Sequence, residues 1–467
     1  MQCLKWVLNL KKENLQEINF LYNRNKSPLI RAFIFYNRFR MDITYIHSLF
    51  LKCNSVSIDT RKIEPNSLFV AIKGDNFDAN TFAQVALEKG ASFVIIDNKD
   101  YFIDQRTILV ENSLIALQEL AKFHREYLKL PIIALTGSNG KTTTKELINV
   151  VLSKKFKTKA TVGNLNNHIG VPLTLLSFNS ETEIGIVEMG ANHKKEIEFL
   201  CELTTPDYGY ITNFGKAHLE GFGGVEGVIE GKSEMYYYLS QNDKLAFINL
   251  EDKIQVEKSN TLKSYSFGVN KEDANVNINS IAANPFVEIQ FSHLHIQTHL
   301  IGLYNANNIN AALTIGKYFG VEDSAIKEAL ESYIPDNNRS QLITKGTNQI
   351  ILDAYNANPS SMAVAIDNFL QLDNSNKIMI LGDMFELGKE SQQEHKAIVN
   401  SLLDANDIIC YFVGKEFFSN QLDKNNFHFY ETFDSFSDYL SEAKIKNSSI
   451  LIKGSRGMAL ERTLNFL

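Results

Sequence analysis

The sequence predicts an α/β protein made of consecutive domains with largely parallel sheets, and three observations lead there. Short apolar runs alternate with segments of helical periodicity from Met41 to the end, the pattern of sheets covered by crossover helices. The 467 residues exceed what one core accommodates and suggest about three domains. Polar and glycine-rich clusters recur just after the apolar runs, where open α/β sheets place their ligands.

Residues 41–128 form the first predicted domain, with strand-like Ser67-Leu68-Phe69-Val70-Ala71-Ile72 and Phe93-Val94-Ile95-Ile96 around a helix from Thr81 to Lys89. The second, residues 129–334, opens on apolar Pro131-Ile132-Ile133-Ala134-Leu135, a glycine loop and a helix through Leu152. Further strand-then-loop units follow at Ile184-Gly185-Ile186-Val187-Glu188 and Tyr208-Gly209-Tyr210-Ile211-Thr212-Asn213. In the third, residues 335–467, the same grammar recurs at Ile350-Ile351-Leu352-Asp353, Lys377-Ile378-Met379-Ile380-Leu381-Gly382-Asp383 and Ser449-Ile450-Leu451-Ile452-Lys453-Gly454, which predicts a doubly wound domain. Residues 1–40 carry eight Lys or Arg, from Lys5 to Arg40, against Glu13 and Glu17. They read as a basic extension, or as a start assigned ahead of a native one at Met41, in preference to a membrane-surface helix; they lack the continuous apolar stretch and cleavage site of a secretory signal.

Composition narrows the function. With 44% hydrophobic and 22% charged residues the chain has the balance of a soluble globular protein. A net charge of -7 opposes general attraction to nucleic acid, which needs a dense basic surface. Cys3, Cys53, Cys201 and Cys410 are scattered without a CxxC pair, so neither a zinc site nor a disulfide framework is expected and a reducing, cytoplasmic setting fits.

The strongest signal is Thr136-Gly137-Ser138-Asn139-Gly140-Lys141-Thr142-Thr143 between a strand and a helix. Glycines let backbone N–H groups turn toward an anion and the following helix directs its positive end there. Lys141 adds a point charge and Thr142 a hydroxyl suited to Mg²⁺. Leu135 stands where the common GxxxxGK[ST] pattern has its first glycine.

This Thr-Gly-x-Asn-Gly-Lys-Thr form resembles the Mur ligase superfamily, and further segments resemble it in order over nearly all of residues 41–467. The resemblance implies a three-domain architecture, with a UDP-sugar-binding first domain, a central P-loop ATPase-like parallel-sheet domain and a C-terminal Rossmann-like domain. It implies an ATP-dependent amide ligase in peptidoglycan precursor synthesis. Glu188 would hold Mg²⁺, a hard cation that prefers carboxylate oxygen, with Thr142 beside it; His218 and Lys232 would serve a second cation, Lys232 as a carbamate. Lys141, Glu188, His218 and Lys232 are then the catalytic group. Residues 137–143 would cradle ATP, joined by Asn308, whose amide could read an adenine edge, and by Arg339 and Asp353, the latter aimed at ribose hydroxyls. Tyr304 replaces the histidine usual in the segment around Asn308. Asp353-Ala354-Tyr355-Asn356-Ala357-Asn358-Pro359, Gly382-Asp383-Met384-Phe385-Glu386-Leu387-Gly388 and Lys453-Gly454-Ser455-Arg456 resemble the branch that adds D-Ala-D-Ala to UDP-MurNAc-tripeptide through an acyl phosphate.

For that substrate the resemblance nominates Ser57, Asp59, Thr60, Arg61 and Lys73 on the UDP sugar, Asn166, Asn167 and His168 near the acceptor, and Tyr355 and Asn358 in the third domain. Arg61 and Lys73 have the charge to neutralise phosphate. Asp78-Ala79-Asn80 stands where relatives often have Asp-Gly-His. The expected partners are these small molecules, acting on a monomer without nucleic acid or stable membrane insertion. Taken singly, each residue also has an ordinary reading: a capping asparagine, a packed histidine, a helix-surface lysine. Two rivals stay open from residues alone, another ligase of the superfamily and a P-loop nucleotide-binding module that makes no covalent product.

Overall fold

The computed structural model describes residues 42–336, 338–374 and 376–467; the basic segment 1–40 lies outside the described residues. Two compact units are present: one runs to Leu128 and takes in Leu175–Ser177, the other spans Lys129–Thr174 and Phe178–Leu467.

In the first unit, β1 (Ser55–Ser57), β2 (Ser67–Val70), β5 (Ala91–Ile96) and β6 (Thr107–Leu109) form a parallel sheet in the order β1-β2-β5-β6, and β3 (Lys73–Gly74) pairs with β4 (Phe77–Asp78) in a small hairpin. Residues 79–89 differ from the single helix predicted there: a 3-10 turn, Ala79–Phe82, leads into a helix at Ala83–Glu88. The Asp78 carboxylate accepts from the Asn80 N–H, and this local bond tightens the first turn.

Helix α1 (Ile43–Phe50) starts at Asp42, whose side chain accepts from the Thr44 and Tyr45 N–H groups, and it packs on α2 (Ser113–Leu128). Between them His47 Nε2 lies 3.0 Å from His124 Nδ1, both rings buried. Burial, with the neighbouring His124, pushes His47 down to about 4. His47 is therefore neutral in the fold, whereas the unfolded chain takes up its proton below about pH 6.5. This contribution to stability is complete above pH 6.5 and drains away as the pH falls toward 4. Melting curves of the whole protein at pH 7 and pH 5 should show a fall of several degrees, smaller in His47→Gln.

The second unit begins with a seven-stranded parallel sheet: β7 (Ile132–Thr136), β8 (Thr158–Ala160), β9 (Ile184–Glu188), β10 (Tyr208–Ile211), β11 (Leu245–Asn249), β12 (Lys263–Val269) and β13 (Val276–Ile278), ordered β13-β12-β11-β10-β7-β9-β8. Ile132, Ile133, Ala134 and Leu135 are all fully buried, as a strand covered on both faces must be. Because β7 lies between β9 and β10, the chain winds in opposite directions on its two sides, and the crevice at its carboxyl end is a topological switch point. Helix α3 (Lys141–Leu152) leaves from there. Leu147, Ile148 and Val151 bury their side chains in the same core as Ala311, Ala312 and Ile315 of α6 (Asn305–Tyr318), each large aliphatic contributing about 1.5–3 kcal/mol. A Cβ on Gly316 would lie 2.5 Å from Val151 Cγ1, so glycine allows α6 to lie close against α3. An antiparallel sheet of β14 (Ser280–Ala283), β15 (Phe286–Phe291) and β16 (Leu294–Ile301) was not among the predicted elements.

The last sheet runs β17-β18-β22-β19-β20-β21, from β17 (Gln341–Lys345), β18 (Asn348–Asp353), β19 (Lys377–Gly382), β20 (Ile408–Val413), β21 (Phe427–Tyr430) and β22 (Ser449–Lys453). It is parallel except for the β17–β18 hairpin. Helix α7 (Pro359–Gln371) starts with a capping box, Asn358 accepting from the Ser361 N–H while Ser361 Oγ accepts from the Asn358 N–H, and has proline at its first position.

Candidate active site

The loop from β7 to α3 is shaped by glycine at two points. Gly137 has φ +141° and a Cβ there would lie 2.0 Å from Thr212 Oγ1; Gly140 has φ +78° and a Cβ would meet Asn308 Oδ1 at 2.6 Å. Both the backbone conformation and the space exclude a side chain. Gly137→Ala should push Thr212 aside, lower the melting temperature and weaken ATP binding by at least about tenfold, about 1.4 kcal/mol, as measured by calorimetric titration.

Neighbouring strand ends clamp this loop. Ile211 pairs with Thr136, which puts Thr212 and Asn213 beside it: Asn139 O accepts from Thr212 Oγ1 (2.6 Å) and Asn213 Nδ2 (2.9 Å), and the Asn139 N–H donates to Asn213 Oδ1 (3.1 Å). Ser138 Oγ donates to Gly215 O at 2.7 Å. From the last sheet, the α7 cap Asn358 donates through Nδ2 to Asn139 Oδ1 at 2.7 Å. The sequence marks Thr212 and Asn213 only as the end of a strand-then-loop unit and gives no sign that they clamp the loop.

Lys141 Nζ folds back onto its own loop, donating to Gly137 O (2.7 Å) and Ser138 O (3.2 Å). Burial lowers its pKa, Glu188 opposes that shift and Arg339 adds to it. Glu188 ends β9, in register with Leu135 of β7. Its carboxylate is buried, Oε1 accepting from Asn166 Nδ2 at 2.8 Å, while Oε2 has no hydrogen-bond partner. A carboxylate oxygen buried without a partner is costly, and that atom fits a cation. Among the described residues no group of three His, Cys, Asp or Glu side chains converges as a metal cage.

Lys232, on α5 (Val225–Gln241, after α4, Glu196–Thr204), is 1% exposed. Its Nζ donates to Ala191 O at 3.3 Å and lies 5.1 Å from the centre of the Phe222 ring. Burial first, then the charge of Lys141, pushes its pKa well below that of an ordinary lysine, so the uncharged amine is favoured. His218 contacts the Glu386 carboxylate, and holds it below the usual range.

Asn308 uses its amide within the protein: Oδ1 accepts from Thr144 Oγ1 (3.0 Å) and Nδ2 donates to Asn305 Oδ1 (2.8 Å). Asn305 is the first residue of α6 rather than its cap, and donates to Ile301 O at 2.7 Å. Tyr304 shares a hydrogen bond with Ser340 Oγ at 2.6 Å. The Arg339 guanidinium sits 3.7 Å from the centre of the Tyr355 ring, with Nε buried and unpartnered. Asp353 accepts from the Ser340 N–H (3.2 Å) and from Lys453 Nζ (2.5 Å). Lys453 is fully buried, and sequence reasoning gave it no individual role.

One cavity of about 820 Å³ joins these groups, lined by Ser138 to Thr143, Asn166, Asn167, His168, Glu188, His218, Asn308, Arg339, Asp353, Tyr355 and Asn358. Asn167 Oδ1 accepts from the Ile169 and Gly170 N–H groups. Gly137 and Lys232 are not on its surface. The substrate residues nominated in the first unit make local contacts. Both Asp59 carboxylate oxygens accept hydrogen bonds from the Arg61 guanidinium, and Asp59 is drawn down to about 2. Ser57 Oγ accepts from the Asp59 N–H, Thr60 opens a 3-10 turn, and Lys73 pairs with Asp97 at 3.1 Å. Asn80 donates to both Asp78 and Asp97.

Comparison with known proteins adds three family matches: Mur ligase family, catalytic domain, over residues 52–125; Mur ligase middle domain over 135–316; and Mur ligase, glutamate ligase domain, over 338–456. The chain is 34% identical to the UDP-N-acetylmuramoyl-tripeptide–D-alanyl-D-alanine ligase of Bacillus subtilis, covering 89% of this chain and 93% of that one. Identity to the same-named ligase of Escherichia coli is 32%, over 89% and 93%. A crystal structure of MurF from Acinetobacter baumannii superposes with a TM-score of 0.78 at 30% identity, covering 91% of this chain and 97% of that one. MurF ligase from Thermotoga maritima, in complex with ADP, gives 0.77 at 26% identity, covering 89% and 97%.

Proposed function

Because this chain belongs to the Mur ligase family, we propose that it is the ATP-dependent ligase that joins D-Ala-D-Ala to UDP-MurNAc-tripeptide. The observation that carries the chemistry is the meeting of a glycine-shaped loop, Lys141, the unpartnered Glu188 oxygen and the free Nε of Arg339 in one cavity.

A carboxylate does not acylate an amine in water, because oxide would have to leave. The γ-phosphoryl group of ATP is transferred to the terminal carboxylate of the tripeptide, releasing ADP. The free amine of D-Ala-D-Ala then attacks the acyl phosphate, the carbon–oxygen bond breaks, and phosphate leaves with the amine losing a proton.

Lys141 would exchange its loop carbonyls for phosphate oxygens, and the N–H groups of Gly140, Lys141 and Thr142 would receive the remaining charge. Arg339, stacked on the Tyr355 ring, has a donor to spare in the same cavity. Thr142 and Glu188 would hold Mg²⁺, with His218 and a Lys232 carbamate serving a second ion, and the bound cations would offset charge on the phosphoryl oxygens. The uncharged amine favoured at Lys232 is the form that adds CO₂, with loss of a proton. Asp353 would serve the ribose and Asn166, Asn167, His168 and Asn358 the acceptor, while Asn308, whose amide is engaged by Thr144 and Asn305, would hold α6 against the loop. Ser57, Asp59, Thr60, Arg61 and Lys73 serve the UDP sugar. The ATP pool places the reaction in the cytoplasm, and among the described residues no helix is long and apolar enough to cross a membrane.

Incubation with UDP-MurNAc-tripeptide, ATP and D-Ala-D-Ala, read by mass spectrometry, should yield the pentapeptide product, and phosphate release should need all three. Incorporation of a single amino acid in place of the dipeptide, or nucleotide binding without product, would overturn the proposal.

A further inference from the structure

His218 and Glu386 stand on different sheets of the second unit, in the loops that follow β10 and β19, and their side chains meet. A side-chain contact that solvent reaches is weak evidence of a role, because screening and side-chain entropy offset most of any attraction. The backbone adds an independent observation. His218 has φ +52° and Glu386 φ +62°, both in the left-handed region that residues with a Cβ avoid. Such conformations persist where the surroundings impose them, and they cluster at functional sites.

The surroundings do impose them. The Met384 N–H donates to His395 Nε2 at 3.0 Å and the Phe385 N–H to Ser455 Oγ at 2.9 Å, which anchors the loop just before Glu386. On the other side, the Lys216 N–H donates to Ser360 Oγ at 2.8 Å and Lys216 Nζ pairs with Glu394 at 2.5 Å. The Glu220 N–H reaches Glu386 O at 3.4 Å. The segment carrying His218 is thus tied to the last sheet before, at and after the histidine.

We propose that Glu386 is a positioning residue for His218, a carboxylate from the last sheet that orients the imidazole at the edge of the nucleotide cavity. The inference rests on the ligase reading for its kinetic consequence, but not for the contact itself. Neither residue bonds covalently in this role. Glu386 acts only through the ring it holds, and it does so only while the loops after β10 and β19 are together.

The decisive variant is Glu386→Gly. Glycine adopts this backbone conformation without strain, so if Glu386 is only a turn residue the variant keeps full activity and melts at or above the wild-type temperature. If it positions His218, Glu386→Gly keeps its melting temperature yet loses about tenfold or more in kcat, with KM for ATP changed less than about twofold. The loss should vanish in a His218→Ala background, because the two residues then act as one unit. The His218 imidazole ¹⁵N signals, assigned by their disappearance in His218→Ala, should shift in Glu386→Gly whether or not the protein turns over. Unshifted signals, or kinetic losses that add, overturn the proposal. A wild-type protein that makes no product, yet shows the shift, would defeat the ligase reading and leave the pairing standing.

Discussion

Lys141→Ala is expected to lower kcat for ligation by about 10³-fold or more while leaving the fold intact, since a charged donor removed from a transition-state site costs on the order of 10²–10³ by itself. Here the cost is compounded. Lys141 Nζ is held on Gly137 O and Ser138 O, within a single turn of where the phosphates would sit. Its burial also favours an anionic partner over water. Lys141→Arg should not rescue activity, because a planar fork presents its donors differently from a compact ammonium. Coupled phosphate release and a melting curve separate the two effects: turnover collapses while the melting temperature moves little. Unchanged turnover would sink the assignment of the loop.

The second large effect concerns Lys232. Lys232→Met is expected to lose at least about 10²-fold in kcat with a melting temperature equal to or above that of the wild type, because an apolar side chain of similar length fits a site where burial already disfavours the charged lysine. Activity lost without stability lost excludes a purely structural lysine. If the working form is a carbamate, wild-type turnover falls in buffer stripped of CO₂ and recovers with bicarbonate, while the variant ignores both. An intact mass recorded without acid should exceed the sequence mass by one CO₂. An unmodified mass together with a fully active variant would end the carbamate hypothesis.

The two tests differ in what they probe. Lys141 reports on a loop whose shape is local, with two glycines and the first turn of one helix. Lys232 reports on an environment assembled from α5, the Ala191 carbonyl and the Phe222 ring. That difference marks how far sequence reasoning reaches.

From the sequence alone came the α/β class, the strands at β7, β9, β10, β18, β19 and β22 within a residue or two, the glycine loop, and the family resemblance. These are legible because apolar runs, glycine positions and helix starts are set by near neighbours in the chain. The antiparallel strands from Ser280 to Ile301 escaped because no glycine loop or motif marks them, although β15 and β16 largely alternate buried with half-buried or exposed positions. Tertiary structure alone decided which partners the polar residues take: Asn358 on Asn139 across 219 positions, Lys453 on Asp353 across 100, and the Asn308 amide on Thr144 across 164. Those pairings follow from strand order and helix packing, which bring distant segments together, and a sequence pattern with a span of a few residues does not encode them.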